Sequence, residues 1–159
     1  MTVRITGGRF RGQRLRVPAG LRVRPTSSRV REALFNILGD ITGHRILDLF
    51  CGAGTLGLEA LSRGAESALF VDASRASLQC VQENLTRLGL SAPLLKQRLP
   101  EGIRRIRGEF DLVFCDPPYA ENPLEALAQP LLDWPSVDTR GYGGTSLTFL
   151  RRNKSTADS

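Results

Sequence analysis

Apolar residues along this chain fall into two rhythms, and their alternation lays out a fold. Between residues 3 and 17, Val3 and Ile5 flank Arg4, and Leu15 and Val17 stand against Arg14 and Arg16, with glycines between. That two-residue period predicts a small β-hairpin with one apolar and one arginine face. PTSS, 25–28, offers N-cap hydroxyls to a helix carrying Val30, Ala33, Leu34, Ile37 and Leu38 at helical spacing, with Gly39 as its stop. RILDLF, 45–50, reads as a buried strand, followed by a helix over 55–63 closed by Gly64. SALFVD, 67–72, is a second strand, and a helix over 74–88 places Leu78, Val81, Leu85 and Leu88 on one side before Gly89. APLLKQ, 92–97, is a weaker strand, and 101–107 a short helix. FDLVFCDPPY, 110–119, is a fourth strand broken by two prolines, with a helix over 123–132 behind it. Beyond that the pattern supports one strand, 145–150, and a polar end.

Strand and helix alternate from Arg45 onward, which predicts an α/β fold with a parallel sheet covered on both faces. The expected organisation is an Arg-rich hairpin extension over 1–24, one domain over 25–150 and a disordered polar tail over 151–159. Ligands of such sheets bind outside the carboxyl ends of the strands. Asp48, Asp72 and Asp116 stand at or near three of those ends.

Charge sharpens this picture through its location. Residues 1–31 hold nine arginines and no acid, whereas the other 13 bases are outnumbered by all 16 acids, so the net +6 is owed to the first 31 residues. Such asymmetry points to a polyanionic partner met by the N-terminal segment. A transit peptide would need an amphipathic helix, which Gly7, Gly8, Gly12, Pro18, Gly20 and Pro25 would break. A solvated arginine face is the plainer alternative. Cys51, Cys80 and Cys115 are too scattered for a zinc site or disulfide framework and fit a reducing cytoplasm. No apolar run is long enough for a membrane helix, and no metal or membrane partner is expected. With His44 as the single histidine, nothing suggests a Ser-His-Asp triad.

Gly52, Gly54 and Gly57 in FCGAGTLG form a G-x-G-x-x-G, and Asp72 stands 18 residues after Gly54, near the spacing of a dinucleotide site. Asp48, just before the glycines, opposes that reading, because a carboxylate there would face a pyrophosphate. It suits a cationic ligand instead. S-adenosylmethionine qualifies, with an ammonium, a sulfonium and ribose hydroxyls free to bond Asp72.

The fourth strand ends in Asp116-Pro117-Pro118-Tyr119. Two prolines fix the backbone and remove two donors, leaving carbonyls for a ligand. Together with the Asp116 carboxylate and the Tyr119 ring, this group suits an exocyclic amino group on a planar base. Hydrogen bonds accepted from that amine favour a more tetrahedral nitrogen, with its lone pair aimed at an electrophilic methyl carbon.

RPTSSRVREALFNIL, DLFCGAGTLGLEALSRGA and FDLVFCDPPY, in this order and spacing, resemble the bacterial 16S rRNA guanine-N2 methyltransferase family, the D-type small-subunit enzymes. The resemblance implies a class I methyltransferase fold, Rossmann-like with a mostly parallel sheet. It also implies S-adenosylmethionine as cofactor, 16S rRNA or an assembling small subunit as partner, and a cytoplasmic monomer. Asp48, Gly52 and Gly54, with Phe50 beside them, would hold the methionine end and Asp72 the ribose, while Thr26 and Arg29 would reach the cofactor carboxylate. Asp116, Pro117, Pro118 and Tyr119 would hold the flipped guanine, and Arg4, Arg9, Arg11, Arg14 and Arg24 the RNA phosphates. The family's acid or amide near the adenine is replaced by KQRLP, 96–100, with Arg98. The family also continues through two further strands after the equivalent of Leu150, so this chain is expected to lack its closing strands and to expose a sheet edge. An adenine-N6 DNA methylase, a catalytically degenerate RNA-binding protein and an oxidoreductase are the alternatives.

Overall fold

The computed structural model describes residues 3–18 and 27–116, and the backbone of two strands at 137–141 and 148–152. A two-stranded antiparallel hairpin, β1 (Val3–Arg4) and β2 (Arg14–Leu15), opens the chain, pairing Val3 with Leu15 and Arg4 with Arg14. Helix α1 (Ser28–Leu38) follows, its first turn capped by Ser27, whose side chain accepts from the Val30 amide. Strand β3 (Arg45–Leu49), helix α2 (Thr55–Ser62), β4 (Ser67–Asp72), α3 (Arg75–Leu88) and β5 (Leu94–Lys96) then alternate as the pattern predicts. Strands β6 (Leu112–Cys115), β7 (Val137–Gly141) and β8 (Thr148–Arg152) complete the main sheet.

The sheet order is β5-β4-β3-β6-β8-β7. Its first four strands are parallel, and β8 pairs antiparallel with β6 and with β7. Successive strands proceed outward from β3 to β5, and β6 then returns to the other flank of β3. The switch point of this doubly wound half therefore lies between β3 and β6, where such sheets bind ligands.

Side-chain alternation divides the core. Ile46, Ala68, Phe70, Leu112 and Phe114 join Leu34, Phe35, Leu38, Leu58, Val81 and Leu85 of the three helices. Leu47, Leu49, Val71 and Val113 point the other way, onto Leu99, Ile103 and Ile106 of the β5–β6 connection. Among the described residues, helices cover one face only. The helix expected over 101–107 is a single 3-10 turn, Ile103–Arg105, because Gly102 and Gly108 leave too few residues between them to repay helix nucleation.

The expected hairpin extension is present, and its apolar side, Val3, Ile5 and Leu15, packs into the main core, each side chain contributing about 1.5–3 kcal/mol by burial. Helix α1 buries Arg31, Leu34, Phe35 and Leu38, while Ile37 is 51% exposed, so its inward face is rotated from the one the apolar residues alone mark out. Finally, the segment read as one strand, 145–150, before a polar end holds two described strands, with β8 reaching Arg152 and pairing beside β6, while residues 153–159 lie outside the described residues. The helix expected over 123–132 lies outside the described residues.

Candidate active site at the carboxyl edge of the sheet

Strand β3 ends in a loop that changes direction sharply. Phe50 takes a positive φ of 54°, uncommon for a residue with a side chain, and Gly54 caps α2 in the left-handed region at φ 81°. The Cys51 amide bonds the Val71 carbonyl at 3.0 Å, tying the loop to β4. Asp72, last residue of β4, braces it further: Oδ2 accepts from the Gly52 amide at 2.9 Å and Oδ1 from the Ser74 amide at 2.8 Å. A side chain added at Gly52 would meet nothing within 4 Å, so the loop's outer side is open. Gly57 is the opposite case, since a Cβ there would come within 2.3 Å of Phe70 Cε1. It is glycine because α2 packs directly on β4.

Asp48 is 1% exposed. It lies in register between Phe70 and Phe114, and its Oδ2 accepts from the Gly57 amide at 3.0 Å. Among the described residues Oδ1 has no hydrogen-bond donor. Burial between the two rings pushes this carboxyl up to about 8, against the lowering effect of the Gly57 amide, and the neighbouring charges of Asp116 and Asp72 push it further. The same setting raises the Cys115 thiol to about 12, through burial first and the Asp116 and Asp48 charges second. Three acids thus converge from three adjacent strands, and each raises the cost of ionising its neighbours.

Of the residues named from sequence, Asp48, Phe50, Gly52, Gly54, Asp72 and Asp116 come together at this edge. Arg29 is exposed in the first turn of α1, and no hydrogen bond or ion pair joins it to the three acids. Thr26, Arg24, Pro117, Pro118 and Tyr119 lie outside the described residues. Arg4, Arg9, Arg11 and Arg14 are exposed on the hairpin. The Arg9 amide bonds the carbonyl of Ser62, the last residue of α2, about 12 Å along the helix from Gly54 at 1.5 Å per residue.

Sequence reasoning missed the group that fastens this hairpin. Glu59, wholly buried in α2, accepts through Oε1 from the Thr6 amide and hydroxyl, both at 2.9 Å, and from Arg31 Nη1 at 3.1 Å. Its Oε2 accepts from the Gly7 amide and from Arg63 Nε, both at 3.0 Å. Nearby, Ser62 Oγ donates to the Gly7 carbonyl and accepts from the Phe10 amide, while Asn84 of α3 accepts from the Arg16 amide and donates to its carbonyl. A lone acid within the otherwise apolar stretch LGLEAL, with Arg63 four residues on, was the available signal.

A parallel sheet of this order, a glycine turn at its switch point and acids at the ends of three strands define a class I methyltransferase. The Escherichia coli ribosomal RNA small subunit methyltransferase D is 39% identical over 133 residues, 82% of this chain and 67% of that protein. Bacillus subtilis YlbH, provisionally named an rRNA methyltransferase, is 37% identical over 147 residues, 88% of this chain and 79% of that one. A solved Escherichia coli protein, YhhF, provisionally named a methyltransferase, superposes with a TM-score of 0.80 at 30% identity, covering 96% of this chain and 99% of the other. The chain belongs to the family described as conserved hypothetical protein 95, whose model matches residues 3–145.

Proposed function

We propose that this methyltransferase transfers a methyl group from S-adenosylmethionine to the exocyclic N2 of a guanine in 16S rRNA of the small ribosomal subunit, in the cytoplasm. The observation that carries the reading is the buried Asp48, with one oxygen lacking a donor among the described residues, below an open glycine loop and flanked by two more acids. That set of acidic acceptors fits a cofactor bearing an ammonium and a sulfonium and disfavours a pyrophosphate. Asp48, Phe50, Gly52 and Gly54 would hold the methionine end and Asp72 the ribose, with Thr26 and Arg29 toward the carboxylate. When bound, the cofactor supplies an electrophilic methyl carbon.

The residues of this chain then act on the nucleophile. Asp116 accepts a hydrogen bond from the guanine amino group, and Pro117, Pro118 and Tyr119 fix the plane of the base, with stacking worth about 1–3 kcal/mol. An amine so held would have its lone pair aimed at the methyl carbon; the new N–C bond would replace the sulfonium S–C bond, leaving a neutral thioether, and the amine's proton would pass to solvent. Flipping the base out costs a few kcal/mol, least in a loop. Arg4, Arg9, Arg11, Arg14 and Arg24 would grip phosphates flanking the reacting base, since Arg9 sits at the far end of α2. The relatives' names support the rRNA substrate.

Replacing Asp116 by Ala tests the assignment. Methyl transfer from labelled cofactor to assembled small subunits is expected to vanish while calorimetric cofactor affinity stays near wild type. Loss of both together would make Asp116 structural and the mechanism wrong. Nucleoside mass spectrometry should find N2-methylguanosine in the product; N6-methyladenosine on DNA would replace the reading with the DNA methylase.

A further inference from the structure

Four arginines of the described fold are paired with acids: Arg16 with Glu83, Arg31 and Arg63 with Glu59, and Arg45 with Glu109 and Asp111. The β5–β6 connection instead gathers its bases in one short run. Lys96, Arg98, Arg104, Arg105 and Arg107 are all exposed, and Glu101 is the one acid between 96 and 107, a local charge of +4 from five bases and one acid. Among the described residues, Lys96, Arg98, Arg105 and Arg107 have no carboxylate within ion-pair distance. Soluble surfaces ordinarily intersperse both signs; a one-sign stripe repels itself and is relieved by a polyanion.

The stripe is also held in place. Leu99, Ile103 and Ile106 are buried against Leu47, Leu49, Val71 and Val113. The Gln97 amide bonds the Asp72 carbonyl at 3.0 Å, and the Gly102 amide bonds the Arg98 carbonyl at 2.8 Å. At its other end the Asp111 amide bonds the Arg45 carbonyl at 2.8 Å. The connection therefore runs from the carboxyl edge, beside Asp72, to the opposite edge of the sheet. It crosses the face that α1, α2 and α3 leave open, whereas the hairpin arginines ride on the helices. Phosphates cannot crowd the edge itself, where three carboxylates converge, so an RNA reaching that edge needs cationic support on either side of it.

We propose that residues 96–107 form a second phosphate-binding surface for the RNA, on the sheet face opposite the hairpin. The inference rests on the rRNA reading above. Neutralising Arg98, Arg105 and Arg107 together to Gln should leave the melting temperature and cofactor affinity unchanged. In filter binding of 16S rRNA transcribed in vitro, it should weaken affinity and flatten the slope of log K against log salt by about 2–3 for three lost phosphate contacts. The matching triple Lys variant keeps the charge and should retain the wild-type slope. An unchanged slope in the Gln variant, or an equal loss in the Lys variant, overturns the proposal. The variant Arg9→Gln/Arg11→Gln separates the two levels. If it weakens binding while the connection variant does not, only this surface fails; if wild-type protein does not bind 16S rRNA at all, both readings fail.

Discussion

Glu59→Gln strikes the point where the hairpin, α1 and α2 meet. The wild-type carboxylate receives three donors on Oε1 and two on Oε2, and both Glu59 and its partner Arg31 are essentially without solvent. Burial lowers the Arg31 pKa, and the Glu59 charge is what opposes that lowering. An amide can keep one oxygen in place, but its NH2 must then face donors, at best the Gly7 amide and Arg63 Nε. Arg31 loses the Glu59 carboxylate that neutralises it, at 3.1 Å in the buried pair. Breaking a buried pair in this way costs about 3–5 kcal/mol, a large share of the ~5–15 kcal/mol that holds a domain together. At about 2–4 °C per kcal/mol for chains of this size, the melting temperature should fall on the order of 6–20 °C. Calorimetry measures that fall, and amide exchange at Thr6 and Gly7 should accelerate because their acceptor is altered. The exposed pair Arg16–Glu83, with side chains 65% and 39% exposed, serves as comparison; Glu83→Gln there should cost no more than about 1 kcal/mol after screening. A Glu59→Gln protein that melts like Glu83→Gln, with unchanged exchange at Thr6 and Gly7, would refute the claim that this carboxylate fastens the hairpin.

Two other perturbations follow from the site. Gly57→Ala forces a methyl group against the Phe70 ring, and overpacking of this kind costs about 1–3 kcal/mol; a denaturant midpoint equal to wild type would show that α2 has room to move. Asp48 has a folded pKa of about 8, above its ordinary 3.8, so between those values the folded state keeps a proton that the unfolded state has lost. Its contribution is therefore fullest below pH 4 and is lost as pH rises toward 8, by up to about 1.4 kcal/mol per unit. Urea melts of ligand-free protein should show Asp48→Asn gaining on wild type across that window, and parallel pH profiles for the two would mean that Asp48 is already ionised when folded.

Much of the site was legible because its geometry is local. A strand that ends at Asp48 and turns through Gly52 and Gly54 puts those residues at the carboxyl edge whatever surrounds them, and the same holds for Asp72 and Asp116. Helix α1 shows where such reading fails. Its apolar residues marked Val30, Ala33, Leu34, Ile37 and Leu38 as the inner face, but the structure turns Arg31 and Phe35 inward. Arg31 is drawn in by Glu59, 28 residues away, and Phe35 by Phe114, with ring centroids 5.7 Å apart, and by the Arg63 guanidinium 4.9 Å above its ring. No window along the helix contains those partners. The β7–β8 pair was half missed for a related reason: a strand beside β6 is defined by its antiparallel register, Val113 against Leu150, and glycine-rich, polar flanks conceal it in the sequence.

The sequence by itself determined the order of strands and long helices as far as β6, the glycine turn, the acids at the strand ends and the arginine excess, because periodicity, caps and turn residues act over a few positions. Tertiary structure alone decided that Asp48 is shut between two phenylalanine rings, that the hairpin is part of the core, and that basic residues line both faces of the sheet. Those outcomes depend on desolvation and on hydrogen bonds spanning 53 residues, such as Thr6 to Glu59, and such partners meet only when the chain has folded.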